Sequence, residues 1–280
     1  MRVGLLPREG ARSYRFVILA LAALGLLVSA LPVVIITIMS FSAAETTSFP
    51  PEAYSWRWYQ TVLELFAGED PSSAQSVGDA LATSLMVGAI VMALATLVCV
   101  PLAYALVRGA GRLRGGMELL FTLPLVFPLV MLGIAFLLIA ESLKWELGIW
   151  RLVIPHLALV IPFVLRNCTS AMNGIHREVE EAAVSLGAAP WRMAIDVVVP
   201  LMKPGILAGL IFALIISFNE FTITFFMYTI DLGTLPIWMY SRTVSSLDPS
   251  TLALSVMIVL VDLVLVLMID RLISGKARLF

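Results

Sequence analysis

Six long apolar stretches, at residues 16–39, 80–107, 119–140, 149–165, 205–226 and 252–269, dominate this chain of 280 residues. Each approaches or exceeds the ~20 residues that cross ~30 Å of hydrocarbon at a helical rise of 1.5 Å per residue. Inside a bilayer only helices and closed barrels satisfy their own main-chain groups, and these runs lack the polar–apolar alternation of barrel strands. The sequence therefore predicts an all-α integral membrane protein with six transmembrane helices in a single domain. Composition agrees, with 60% of residues hydrophobic and 13% charged, against ~25% charged in an ordinary soluble domain. That much apolar side chain exceeds what one soluble core can hide. A soluble enzyme, a disordered regulator and a nucleic-acid binder are excluded on this ground.

The fourth run is the weakest, because Arg151 and His156 interrupt it and Arg166 closes it. The first follows Arg2, Arg8, Arg12 and Arg15, as the apolar part of a signal peptide would, but it is longer than the usual 7 to 15 residues. It is read as an uncleaved span, although Ser42, Ala43 and Ala44 supply small residues beyond it. Cys99 and Cys168, in or beside apolar runs, read as buried thiols. His156 and His176 lack metal-ligand spacing and read as structural.

The net charge of -1 hides how the charges are distributed. With a cytoplasmic amino terminus, the inner segments carry Arg2, Arg8, Arg12, Arg15, Arg108, Arg112, Arg114, Arg166, Arg177, Arg192, Lys203, Arg271, Lys276 and Arg278. The outer side keeps only Arg57, Lys144, Arg151 and Arg242. This split of the 18 basic residues is a strong positive-inside signal and predicts that both termini are cytoplasmic. The first outer connection, residues 40–79, is long. It offers Trp56, Trp58 and Tyr59 as interfacial anchors and Glu45, Glu52, Glu64, Glu69, Asp70 and Asp79 as acids.

The connection between spans four and five is polar yet helix-patterned. Strong helix formers from Arg177 to Leu186 lead to Gly187, suited to a helix C-terminal cap. Pro190 then fits the first turn of a second short helix, Trp191 to Val198, which Pro200 is expected to end. Ala182 and Ala183 offer a small-residue surface for close approach by another protein.

Glu181-Ala182-Ala183, three residues, Gly187, nine residues, then Val197-x-Val199-Pro200 resembles the EAA loop of importer-type ATP-binding-cassette permeases, Glu-Ala-Ala-x3-Gly-x9-Ile-x-Leu-Pro. Valines replace the family's Ile and Leu and keep the apolar character. The resemblance extends further: Pro101 to Arg108 is similar to the Pro-x-Ala-Tyr-x-x-x-Arg ending of the family's second span, and Pro124, Pro128 and Gly133 to its proline-interrupted third span. Ser217 to Phe221, Leu235-Pro236, Tyr240-Ser241, Pro249 and Ala253 to Ser255 resemble the second permease subunit of spermidine/putrescine-type importers.

The resemblance implies a six-span permease with a cytoplasmic coupling-helix loop at residues 177–200. Glu181, Ala182, Ala183, Gly187 and Pro200 are then the residues that couple it to an ATPase. It implies a second six-span permease, two cytoplasmic ATPase subunits and a periplasmic solute-binding protein as partners, beside the lipid bilayer. The chain has no Gly-x4-Gly-Lys-Ser/Thr loop, Gly275-Lys276 being followed by Ala277, so it binds no cofactor of its own and ATP with Mg2+ would be used by the partner ATPase.

Charges within the lipid are few. Asp262 stands in the middle of the last span, where a carboxylate costs roughly 2.5 to 3.5 kcal/mol on insertion scales. It is either a pathway group or a carboxylate satisfied by a neighbouring helix or partner subunit. Glu220 lies about 22 Å up the fifth span from Gly205, in the outer half, with Asn219, Thr222 and Thr224 nearby. These residues are read as lining the solute path or as forming a buried structural network. The family often has acids at both positions where this chain has Asn219 and Glu220, which weakens an assignment to polycations. Gly205 and Gly209 suit close helix packing.

The function expected is half of the translocation pathway for a small polar organic solute, a polyamine or related amine first. The rival, a stand-alone secondary transporter or channel, needs inverted repeats or a selectivity motif and gives the EAA-like segment no role. An integral-membrane enzyme would need convergent catalytic groups, and none is found.

Overall fold

The structure, a computed structural model, describes residues 8–68, 75–109, 111–144, 148–246 and 249–274. Arg2, Glu69, Asp70 and residues 275–278, named above, lie outside them. The described residues are almost entirely helical, with two isolated bridges, Ser42 to Tyr54 and Thr229 to Leu232. They form two compact units, Met1–Glu64 with Ser246–Val259, and Leu65–Ser245 with Leu260–Phe280.

The first unit holds α1 (Arg8–Ser40) and most of α2 (Arg57–Ala67). The side chains of α1 from Tyr14 to Val34 are exposed along their whole length. Its end is fixed by a bond of 2.8 Å between Ser40 and the Tyr59 hydroxyl. Phe41, Trp56 and Tyr59 stack beside it, with ring centroids 4.8 to 5.5 Å apart. Trp58, expected as an interfacial anchor, is buried instead.

The second unit is built on three helices, α3 (Val77–Arg108), α6 (Trp150–Asn173) and α9 (Val199–Phe218). α3 begins at Ser76, whose hydroxyl accepts from the Asp79 amide at 3.0 Å and donates to the Asp79 carboxylate at 2.7 Å. That carboxylate sits in the first turn, where the helix dipole favours it. Small side chains let the helices approach: Ala95, Cys99 and Ala103 of α3 and Cys168 of α6 are fully buried. A Cβ added to Gly205 of α9 would overlap Ala171 of α6, and one on Gly209 would lie 3.3 Å from Val164.

Four expectations are corrected here. The fourth span is not closed by Arg166, because α6 runs to Asn173 with Arg166 on its exposed side. It is also the most buried span, with 56% of its apolar window inside the protein. Arg151 and His156 weaken the run as sequence but face protein partners.

The third span, expected at 119–140, is two helices, α4 (Arg114–Thr122) and α5 (Leu129–Ser142). The pair is bent by 91°. Pro128, at the start of α5, has no amide to continue the helix, and its ring drives Phe127 out of helical geometry.

The fifth span, expected at 205–226, ends at Phe218, and a separate short helix, α10 (Thr222–Met227), follows it. Nor does Pro200 end a short helix. Helix continues from α8 (Pro190–Arg192) through a π-helical segment, Met193–Val198, into α9, with Pro200 in its first turn. The π turn widens the helix just where Pro200 has no amide to donate to the preceding turn.

Five described helical segments are individually long and apolar enough to cross a membrane, and counting the bent pair as one span makes six. α11 (Leu235–Ser246) and α12 (Ser250–Ser274) complete the order.

Candidate functional site

Two regions gather the residues that sequence singled out. The first is the segment from α7 (Arg177–Ser185) into α9. α7 ends in a full Schellman motif: Gly187 N–H donates to Val184 O at 2.9 Å and Ala188 N–H to Ala183 O at 3.1 Å. Gly187 adopts φ +90°, which only glycine holds without strain.

One face of α7 turns inward. Glu180 is buried, and Ala183, one turn on, packs against the core together with Ala188. Of the two alanines expected to meet a partner, Ala182 is exposed and Ala183 is half-buried against its own chain. Glu181 is exposed. So are large apolar side chains around the turn, Leu186 at 90%, Trp191 at 60% and Ile195 at 57%. Three such uncovered side chains make a surface that burial would stabilise.

The EAA resemblance points to Glu181, yet it is the neighbouring Glu180 that makes close polar contacts. Arg108 Nε donates to Glu180 Oε1 at 2.7 Å, and the Tyr104 hydroxyl donates to Oε2 at 3.0 Å. A helical-face count shows the difference: Glu180 and Ala183 stand at i and i+3 on one face of α7, which Glu181 does not share.

The second region is the break between α9 and α10. Asn219 caps α9 and is exposed, and its Nδ2 donates to Asp262 Oδ2 at 2.9 Å. Glu220 points the other way. Its carboxylate is buried and accepts from the Ile223 and Thr224 amides and the Thr224 hydroxyl, each at 2.9 Å. The carboxylate thus caps α10 and satisfies its own charge.

Having donated to Glu220, Thr224 Oγ1 accepts from His156 Nε2 at 2.8 Å, which leaves Nδ1 to accept from Ser217 at 2.9 Å. Arg151 Nε closes the other end of α10 on Met227 O at 2.9 Å. Beside the break, Phe221, Phe225 and Tyr240 stand with ring centroids 5.1 to 5.5 Å apart. Thr222 is half-buried at the first position of α10. No group of three or more metal-ligating side chains occurs among the described residues.

Residues 98–278 match the family of binding-protein-dependent transport system inner membrane components. The chain belongs to that family. It is the permease subunit of a binding-protein-dependent ABC importer, a multi-pass protein of the inner membrane that works with other components of such a transporter.

Among its relatives is the putrescine transport system permease protein PotI of Escherichia coli (strain K12), 28% identical over 235 residues, covering 81% of this chain and 80% of the relative. The spermidine/putrescine transport system permease protein PotC of Haemophilus influenzae is 24% identical over 88% of this chain and 91% of its own. The putative 2-aminoethylphosphonate transport system permease protein PhnV of Salmonella typhimurium is 28% identical over 69% of this chain and 74% of its own.

A chain from the crystal structure of a bacterial ABC transporter involved in the import of the acidic polysaccharide alginate has the same fold, with TM-score 0.65 and 18% identity over 98% of this permease and 99% of that chain. Membership of the family leaves the stand-alone transporter or channel without support.

Proposed function

We propose that this permease forms half of the path for a small amine-bearing solute and takes its energy from a separate cytoplasmic ATPase that docks on residues 177–200. The observation that carries the docking is the uncovered apolar turn of Leu186, Trp191 and Ile195 next to a buried, anchored Glu180. In this reading Glu181, Ala182, Leu186 and Trp191 meet the ATPase, while Ala183, Gly187 and Pro200 shape the surface. The chain hydrolyses nothing itself. Two ATPase subunits with ATP and Mg2+, a second six-span permease and a periplasmic binding protein complete the importer, and both termini face the cytoplasm, as the placement of basic residues supports.

The amine is supported by chemistry at the α9–α10 break. Putrescine, spermidine and 2-aminoethylphosphonate, the solutes in the relatives' names, all carry an amino group. An exposed Asn219–Asp262 pair beside the rings of Phe221, Phe225 and Tyr240 offers a carboxylate and π faces, which together suit an organic cation. Asn219 and Asp262 therefore line the path. Glu220 and Thr222 hold the break in shape.

Uptake of labelled putrescine into proteoliposomes holding the assembled transporter, with its binding protein and internal ATP, tests both parts. Leu186→Asp is expected to abolish ATPase co-purification and uptake. An assembled, fully active Leu186→Asp transporter overturns the docking surface, and uptake only of solutes lacking an amine overturns the substrate class.

A further inference from the structure

α3 is tied at both of its ends to segments that belong to different functions. At the end that carries Arg108, three elements meet. Arg108 donates to the Glu180 carboxylate of α7 and, through its second arm, to Ile175 O of the α6–α7 connection at 2.7 Å. Tyr104, one turn earlier on the same face, holds the other carboxylate oxygen. Arg177 of α7 reaches back to Arg108 O at 3.5 Å, at the end of α3 where carbonyls lack helical partners. The ion pair itself measures 2.6 Å, and its side chains are only 14% and 11% exposed. A surface pair is weak and mobile; this one is shielded and its guanidinium fork is engaged on two sides, so its geometry is fixed.

At the opposite end, Gln75, just before α3, forms a two-way bond with Gly233: its Nε2 donates to Gly233 O at 3.1 Å and Gly233 N–H donates to its Oε1 at 3.0 Å. Ser84 Oγ accepts from the Leu235 amide at 2.8 Å. These bonds fasten α3 to the connection between α10 and α11. That connection, through Tyr228 and Gly233, and α11, through Trp238, line a cavity of about 320 Å3. Between the two fastenings α3 is one continuous helix of 32 residues, about 48 Å long at 1.5 Å per residue.

We propose that α3 is the transmission rod of this permease, with the Glu180–Arg108–Tyr104 joint as its input and the Gln75–Gly233 and Ser84–Leu235 bonds as its output. Displacement of α7 is passed to the 228–235 connection and its cavity at the far end. The inference rests on the docking of an ATPase on residues 177–200 proposed above. Glu180, Arg108 and Tyr104 are positioning residues: they touch neither nucleotide nor solute.

The test uses the assembled transporter in proteoliposomes. A spin label on Ile230→Cys, an exposed site in the far connection, reports its motion when ATP is added, the native Cys99 and Cys168 being buried. In the unmodified joint the label's mobility changes with ATP, and uptake follows hydrolysis. Glu180→Gln is expected to keep the ATPase bound and hydrolysing, to silence the label and to lower solute moved per ATP by about tenfold, the scale of a lost charge-assisted bond. Arg108→Lys, which keeps charge without the fork, and Tyr104→Phe are expected to do the same more weakly, and they decide the matter should Glu180→Gln not accumulate. The exchange Arg108→Glu with Glu180→Arg restores part of the ratio. A responsive label and an unchanged ratio in Glu180→Gln, or in both milder variants, overturn the rod. If Leu186→Asp also assembles and couples normally, it is the docking reading that has failed; if Leu186→Asp uncouples while the joint variants do not, only the rod has.

Discussion

Asn219 Nδ2 stands 2.9 Å from Asp262 Oδ2, so the break in the fifth span and the middle of the last are joined by one hydrogen bond. An amide against an acid leaves the carboxylate's charge uncancelled, unlike an Arg or Lys partner. In the path proposed above, an arriving ammonium group would find an attractive site whose geometry is already set. Asp262→Asn is expected to keep the amide contact and remove the charge. Putrescine uptake should fall by about tenfold or more, the effect of losing a charge-assisted bond, with ATP hydrolysis retained; uptake at the unmodified rate would remove Asp262 from the path.

Glu220→Gln leaves the cap of α10 with one acceptor where there were two, and turns an N–H toward the Ile223 and Thr224 amides or the Thr224 hydroxyl. The cost is about 1–3 kcal/mol. Thermal unfolding in detergent should begin several degrees lower. His156→Ala, which withdraws the donor to Thr224, is expected to lower it as well, and the double variant by less than the sum, because the two residues share one network.

Gly187→Ala places a Cβ on a backbone at φ +90°. The strain is roughly 1–2 kcal/mol, with no steric clash to add, since no atom lies within 4 Å of that Cβ. The turn at residues 186–189 should be cut faster by a protease added to inside-out vesicles. Gly187→Asn, which tolerates the left-handed region, should be cut at a rate between the two.

Gly205→Val pushes α9 off α6 at Ala171, and overpacking of this kind costs about 1–3 kcal/mol. Gly25→Val in α1, whose Cβ meets nothing within 4 Å, serves as its control. A lower yield of folded protein is expected for the first and none for the second, measured by size-exclusion profile.

Much of this was legible beforehand. The expected second span, 80–107, matches α3, Val77–Arg108, because its apolar run continues unbroken up to Arg108. The EAA-like turn was legible because a glycine that must be glycine stands at its centre. What stayed hidden depended on direction. Apolar residues resume after Asn219 and Glu220, so the fifth run reads as one helix, while the break is made by the side chain of Glu220 reaching forward to two amides. Arg166 looked like a boundary, and only the exposed side of α6 explains how the helix passes it. Glu180 and Glu181 are alike as residues, and the wheel of α7 alone decides which one is inside.

The right-angle elbow between α4 and α5 has a consequence for how this permease moves. A straight helix must break main-chain hydrogen bonds to bend, and in lipid no water replaces them. Here Pro128 has already removed the donor that a straight span would need, and α5 starts afresh with Met131 and Leu132 donating to Pro128 O. The two arms can swivel about this point without giving up a single ladder contact. The arm that follows carries Gly133, which meets Phe226 of α10 at van der Waals closeness, so a swivel at the elbow moves the short helix that Glu220 starts.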